Sequence, residues 1–241
     1  MKKKLKRKFV IVIPARFKST RFPGKPLAEI KGLPMIYHVW KKCTKVTHKN
    51  NIFIATDDIR IAEVCKKFSM NYRMTPLNCK TGTDRIYHFS KKIDSEIYIN
   101  VQGDEPEIQP KDIKKIIKIG LKNKNKIFNG MSRIKNYKDA YKSQIPKVVF
   151  DKFQNLMFMS RSPIPNNKYL NNKFFFKQVC IYSIPKKYLK LFWSIKKTQF
   201  EKIEDIEINR FLEMGLKVGM VILSDTISVD YPSDLKKVKN I

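Results

Sequence analysis

Glycine is scarce in this chain, with 8 in 241 residues, and there are only 3 histidines, 2 tryptophans and 4 cysteines. Cys43, Cys65, Cys79 and Cys180 stand far apart with no CxxC pair. Soft ligands this sparse argue against a zinc site or a disulfide framework and suit a reducing cytoplasm. Neither GxGxxG nor GxxxxGK[ST] occurs, which removes the two commonest glycine-rich phosphate loops. Long apolar runs are missing too, so no stretch reaches the roughly 18 residues of a membrane span. The start "MKKKLKRKFVIVIPAR" imitates a secretory signal, yet its apolar run stops at Pro14 and meets Arg16, too short for an h-region. A soluble, cytoplasmic protein is expected. Acidic residues are few, 21 against 51 Lys and Arg, for a net charge of +30. Such a field attracts polyanions. The lysines, however, are spread along the whole chain among Asn and Ile, and no nucleic-acid motif accompanies them. They read as solvated faces, and no specific nucleic-acid partner is expected.

What is present is a core. Hydrophobic residues make up 42% of the chain, enough for one large α/β unit. Phe9 to Ile13 reads as a buried strand, "MIYHVWKKCTK" after Pro34 as a helix, Ile52 to Ala55 as a strand, and "DDIRIAEVCKKF" as a helix capped by Asp57 or Asp58. Tyr72 to Thr75, a helix near Thr83, the strand "EIYINVQ" and the helix "KDIKKIIKIGLK" continue the alternation. This predicts a mostly parallel Rossmann-like α/β sheet with helices on both faces. The second half differs. "PKVVFD" and "NLMFMS" read as a hairpin and "FFFKQVCIYSI" as a long strand. Helices at "PKKYLKLFWSI" and "FEKIEDIEINRFLEMG", the strand "KVGMVILS" and a short helix near "PSDLKKVK" follow. With no linker between the halves, residues 1–241 read as a single domain with a small antiparallel insertion at approximately 130–185.

Ligands of open α/β sheets bind at the carboxyl ends of strands, which draws attention to "IVIPARFKSTRFPGKPL". A buried strand there opens into a loop holding Arg16, Lys18, Arg21 and Lys25, stiffened by Pro23 and Pro26. Arg suits phosphate by its planar fork and Lys as a point charge. The bland alternative is a solvated basic loop. "NVQGDEP" ends another buried strand in carboxylates, and Asp230 in "ISVDYPSDL" follows a third apolar run. Carboxylates beside a phosphate site are what Mg²⁺ needs; a simple Gly-Asp turn and a helix cap are the alternatives.

"IPARFKSTRFPGKPLAEIKGLPMIYHV", "ATDD", "TGTDR", "VQGDEP", "SRSPIP", "IEDIE" and "VDYPSDL" occur in the order and spacing of one family. From about Phe9 to Lys239 the chain resembles the 3-deoxy-manno-octulosonate cytidylyltransferases, or CMP-Kdo synthetases. The resemblance implies a nucleotidyltransferase fold and an enzyme that joins CTP to the anomeric hydroxyl of Kdo, releasing pyrophosphate, for lipopolysaccharide synthesis. It implies that Ala15, Arg16, Ser19, Thr20, Arg21 and Lys25 hold the triphosphate, with Met74, Thr75, Arg85 and Gln102 near the nucleotide. Asp104 and Asp230 would bind Mg²⁺, and Arg16, Lys25 and Asp104 would carry the chemistry. Gln102, Arg161, Gln178, Tyr182, Glu204 and Glu207 would face the sugar. A homodimer is the implied assembly. The nucleotide half matches the family pattern, but the sugar half departs from it. Gln178 stands where relatives usually have histidine in "HLGIYGY", and Ile208 where "LEQLR" has glutamine. A modified Kdo-like acid is therefore an open alternative to Kdo. A non-catalytic nucleotide- or RNA-binding protein is a further rival, against which the Asp104 and Asp230 pair counts.

Overall fold

In the computed structural model, which describes residues 7–166, 174–239 and 241, the run RKFVIVIPA forms strand β1 (Arg7–Ala15). The basic start of the chain, residues 1–6, lies outside that range. Val10 to Ile13 have no exposure because both faces of β1 are covered. Ile11 and Ile13 share one cluster with Ile36, Val39 and Ile116, while Val10 and Val12 share the other with Ile86, Phe89 and Leu189. A strand buried on two sides has no polar face to show, which explains the unbroken apolar run.

The first half follows the expected alternation. A two-stranded ribbon, β2 (Glu29–Ile30) and β3 (Leu33–Pro34), leads into α1 (Met35–Thr44). Then come β4 (Ile52–Thr56), α2 (Ile59–Lys67), β5 (Tyr72–Met74), α3 (Gly82–Ser90), β6 (Ser95–Val101) and α4 (Pro110–Lys122). Local chemistry sets the helix starts. The Asp58 carboxylate accepts from Arg60 N–H at 3.0 Å, Thr81 and Asp84 form a capping box on α3, and Pro110 opens α4 where no N–H is needed. Helix α4 lies close on the sheet because Gly120 is bare: a Cβ there would sit 2.0 Å from Ser183 Oγ. Strands β6, β1, β4 and β5 are neighbours in that order and all parallel.

The second half holds β7 (Ile127–Arg133), β8 (Lys147–Phe150), β9 (Leu156–Ser160), β10 (Phe176–Pro185), α5 (Lys186–Ser194), α6 (Gln199–Glu204), α7 (Ile208–Glu213) and β11 (Val218–Ile222). The sequence reading and the structure differ at two places. Strand β7 was not anticipated: Asn129, Gly130 and Ser132 interrupt its apolar pattern, yet all three are buried in the sheet. The small antiparallel part expected at approximately 130–185 is present as β8, β9 and β10, and it is woven into the main sheet. Strand β10 runs antiparallel to both β6 and β7 and joins them into one path, β11-β7-β10-β6-β1-β4-β5, from which the β8–β9 hairpin branches. The stretch from Phe200 to Gly215 is two helices, because Asp205 adopts a left-handed conformation at φ 48° and ψ 48°. Among the described residues, no helix is long and apolar enough to cross a membrane.

Candidate active site

The loop after β1 folds around Phe17. Gly24, at φ +71°, donates its N–H to Phe17 O at 2.9 Å, and a Cβ on Gly24 would meet the Phe17 ring at 3.2 Å. From the α2 side the Arg60 guanidinium lies 3.3 Å from the centroid of the same ring. With Phe17 gripped this way, Ala15, Arg16, Ser19, Arg21 and Lys25 line a cleft of about 420 Å³ at the carboxyl ends of β1 and β6. Thr20 is exposed and outside the lining.

Carboxylates meet this loop from two directions. The turn after β6 supplies Asp104, and the irregular segment after β11 supplies Asp230, held in place by Val229 N–H donating to Asp104 O at 2.9 Å. Lys25 Nζ donates to Asp104 Oδ2 at 2.6 Å and to Val229 O at 2.9 Å, and it stands 3.7 Å from Asp230 Oδ1. Arg21 donates to Asp230 Oδ1 at 2.9 Å. Burial works against the Lys25 charge, but Asp104 and Asp230 outweigh it and its pKa lies above the ordinary lysine value. Burial, then the charge of Asp104, pushes the Asp230 carboxyl up against the pull of Lys25 and Arg21. Asp104 Oδ1 is buried and has no hydrogen-bond partner among the described residues. That open acceptor fits a cation held by two carboxylates and phosphate oxygens. Among the described residues, no group of three or more His, Cys, Asp or Glu could form a full protein cage.

A polar chain crosses the floor. Glu207 Oε2 accepts from Thr83 N–H at 3.0 Å, and Gln102 Nε2 donates to Tyr182 Oη at 3.2 Å and lies 3.4 Å from Glu207 Oε1. Gln178 Nε2 donates to Asn129 Oδ1 at 3.1 Å and to Tyr182 Oη at 3.2 Å. Burial raises the pKa of Glu207 against these donors, and burial pushes the Tyr182 phenol well up. Arg85 lines the cleft while bonded to Asp57 Oδ2 at 2.7 Å and Thr75 Oγ1 at 2.5 Å.

Not every residue singled out in the sequence comes to the cleft. Met74 is exposed and Thr75 buried, both outside the lining, Thr75 acting through Arg85. Glu204 is turned away: its carboxylate accepts from Ser160 Oγ at 2.8 Å and from Arg161 N–H at 2.7 Å, groups that would otherwise be unmet. Arg161 lines the cleft, but its guanidinium is spent on backbone carbonyls of residues 143, 144, 204 and 205. Ile208 has no exposure and packs in the core, so it does not shape the sugar end directly. Sequence reasoning missed Glu105 and Lys177, which also line the cleft. Glu105 follows Asp104 in the same motif and was legible as a carboxylate. Its partners, Thr226 Oγ1 at 2.8 Å and Cys180 N–H at 3.3 Å, lie too far along the chain to be read.

A family model described as Cytidylyltransferase matches residues 10–218. The 3-deoxy-manno-octulosonate cytidylyltransferase of Geobacter metallireducens is 38% identical, over 96% of this chain and 96% of its own. The mitochondrial enzyme of that name from Arabidopsis thaliana is 33% identical, over 99% and 84%. Among solved structures, a CMP:2-keto-3-deoxy-manno-octonic acid synthetase complexed with CTP superposes with a TM-score of 0.88 at 33% identity, covering 95% of this chain and 96% of that one. A 4-diphosphocytidyl-2C-methyl-D-erythritol synthase from Anaerococcus prevotii, at 16% identity and a TM-score of 0.62, shares the fold.

Proposed function

The chain belongs to the 3-deoxy-manno-octulosonate cytidylyltransferase family, and we propose on that premise that it joins CTP to Kdo, giving CMP-Kdo and pyrophosphate for lipopolysaccharide synthesis. The observation that carries this reading is the meeting of Arg16, Arg21 and Lys25 with Asp104 and Asp230 in one cleft. The anomeric hydroxyl attacks the α-phosphorus in line, its oxygen forming the new P–O bond as the bond to pyrophosphate breaks. Little covalent work falls to the protein, so positioning and charge neutralisation dominate. Arg16, Ser19 and Arg21 bind the triphosphate. Lys25, already charged and half-buried between two carboxylates, shifts toward the β- and γ-phosphates and stabilises the leaving group. Asp104 and Asp230 would hold Mg²⁺, which supplies Lewis-acid neutralisation at the α-phosphate and lowers the pKa of the attacking hydroxyl. Gln102, Tyr182, Glu207 and Gln178 orient the sugar through the polar chain on the floor. The family resemblance also supports a homodimer.

Gln178 favours a second reading in part. Its amide NH₂ is committed to Asn129 and Tyr182, and its oxygen meets only the weak Cys180 Sγ donor at 3.9 Å, so the oxygen is the end open to a ligand. That oxygen takes a donor group, which the hydroxyls of Kdo supply as well as an altered acid does, so the second reading rests on Gln178 standing where relatives usually have histidine. Pyrophosphate release from CTP and Mg²⁺, measured with Kdo and with a panel of ulosonic acids, decides between the two. Absence of release with every acid would remove the enzymatic reading.

A further inference from the structure

Irregular backbone inside a protein must find donors for its carbonyls. Two such stretches line the cleft, the loop at residues 142–146 and the junction between α6 and α7, and two cations gather their carbonyls. Arg161 reaches both. Its Nη1 donates to Ser143 O at 3.0 Å and lies 3.4 Å from Gln144 O, while Nε donates to Glu204 O at 2.6 Å and Nη2 to Asp205 O at 3.0 Å. Lys147, at the start of β8, is fully buried. Its ammonium donates to Lys142 O at 2.9 Å and to the carbonyl of Arg161 itself. Among the described residues it has a hydrogen bond to no carboxylate.

A buried lysine without a bonded counter-ion costs stability, and an apolar side chain of its length would pack there more cheaply. Burial, then the charge of Arg161, lowers its pKa to about 8 against the pull of the Glu204 carboxylate. Such a residue needs a reason beyond packing. We propose that Lys147 is a positioning residue for the sugar-acid end of the cleft: together with Arg161 it clamps loop 142–146 to the junction that presents Glu207. The clamp fixes how far Lys142 and Gln144 stand from Glu207, and so sets the fit of the sugar without touching it. Nucleotide binding, built on the β1 loop, does not depend on it.

This inference rests on the reading of the cleft as a CTP and sugar-acid site, and two measurements on Lys147→Met separate the two. In kinetics, KM for the sugar acid should rise about tenfold or more, because small misplacement of positioning groups is costly. KM for CTP should stay within about twofold of wild type, and the melting temperature should change by less than about 4 °C, since removal of a buried charge offsets loss of the donor to Lys142 O and Arg161 O. A merely structural residue would shift both KM values together or leave both unchanged, and either result overturns the proposal. Hydrogen exchange without substrates is the second measurement. The amides of residues 142–145 and 204–207 should exchange about tenfold faster or more in the variant; unchanged exchange overturns the clamp whatever the enzyme's substrate. A wild type that releases no pyrophosphate with Kdo overturns the functional reading alone, and the exchange result still judges the clamp. Arg161→Lys, which keeps the charge but cannot reach both stretches, should give the same KM split and faster exchange. Should Lys147→Met not fold, those two readouts on Arg161→Lys decide.

Discussion

Asp104→Asn keeps the shape of the side chain and removes one negative charge from a crowded place. Asp104, Glu105 and Asp230 gather here against Lys25 and Arg21. The substitution forfeits a charge-assisted hydrogen bond from Lys25, about 1.5–3 kcal/mol, and the asparagine oxygen recovers about 1 kcal/mol as a neutral acceptor. Relief works the other way. The Asp104 charge helps to raise both Glu105 and Asp230, and each pKa unit of relief is about 1.4 kcal/mol. The opposing contributions leave a net change of about 1 kcal/mol, which for a chain of this size moves the melting temperature by less than about 4 °C. Turnover has no such compensation. Half of the two-carboxylate site is lost, cation chemistry at a phosphoryl oxygen contributes several kcal/mol, and a loss of about 4 kcal/mol is a thousandfold fall in kcat. The assay is continuous pyrophosphate release with CTP and Kdo at saturating Mg²⁺, beside a thermal melt. A variant that keeps more than about a tenth of wild-type kcat, about 1.4 kcal/mol, refutes the assignment of Asp104, and a melting temperature lower by tens of degrees refutes the charge balance.

Other outcomes follow from the same geometry. CTP at about 100 times its Kd should stabilise the wild type by about 2.7 kcal/mol, seen as a higher melting temperature, and Arg16→Ala should shrink that shift without lowering the ligand-free value; an undiminished shift would take Arg16 out of the nucleotide site. Burial, then Asp104, raises Glu105 to about 7 from an ordinary 4.5, so the folded state holds more protons between those values and this group's contribution to stability falls as pH rises through that window. Glu105→Gln should match wild type near pH 4.5 and melt higher above pH 7, and a difference that is flat with pH would contradict the raised carboxyl. Gln178→His should change the kcat/KM ratio between Kdo and its analogues by about tenfold, since a buried polar group left unpaired costs about 1–3 kcal/mol. Ile208→Gln should instead cost about 3 kcal/mol of stability by placing an amide in the core, and a stable Ile208→Gln enzyme with altered sugar choice would return Ile208 to the site.

Much of this molecule was open to reading because its chemistry is written locally. A two-sided strand such as β1 must be apolar throughout, and the loop that follows it concentrates cations within ten residues. Motif and strand end likewise put Asp104 at the right rim. What stayed hidden depends on distant partners. Strand β7 carries Asn129, whose amide bonds to Val179 O and Ile181 O across the β10 irregularity, so its polarity is structural and its strand pattern is masked. The α6–α7 break was concealed by helical spacing that continues across Asp205. Lys147 reads as one more surface lysine in a lysine-rich chain. Only the packing of β8 against β10 takes it inside.

Strand β10 has a consequence for the order in which the chain is made. Residues 7–101 contain β1, β4, β5 and β6, a complete parallel block with β6 at its outer edge. The strand that covers that edge begins about 75 residues later, at Phe176. At about 5–20 residues per second, a ribosome takes some 4–15 seconds to supply it. For that interval β6, an apolar strand with free N–H and C=O groups, is a template for any other strand nearby. Among the described residues β7 and β11 pair with the block only through β10, so before it arrives neither covers the edge of β6. Nascent chains stalled after β7 should therefore be the aggregating species and the chaperone clients, while chains released beyond Pro185 escape both fates.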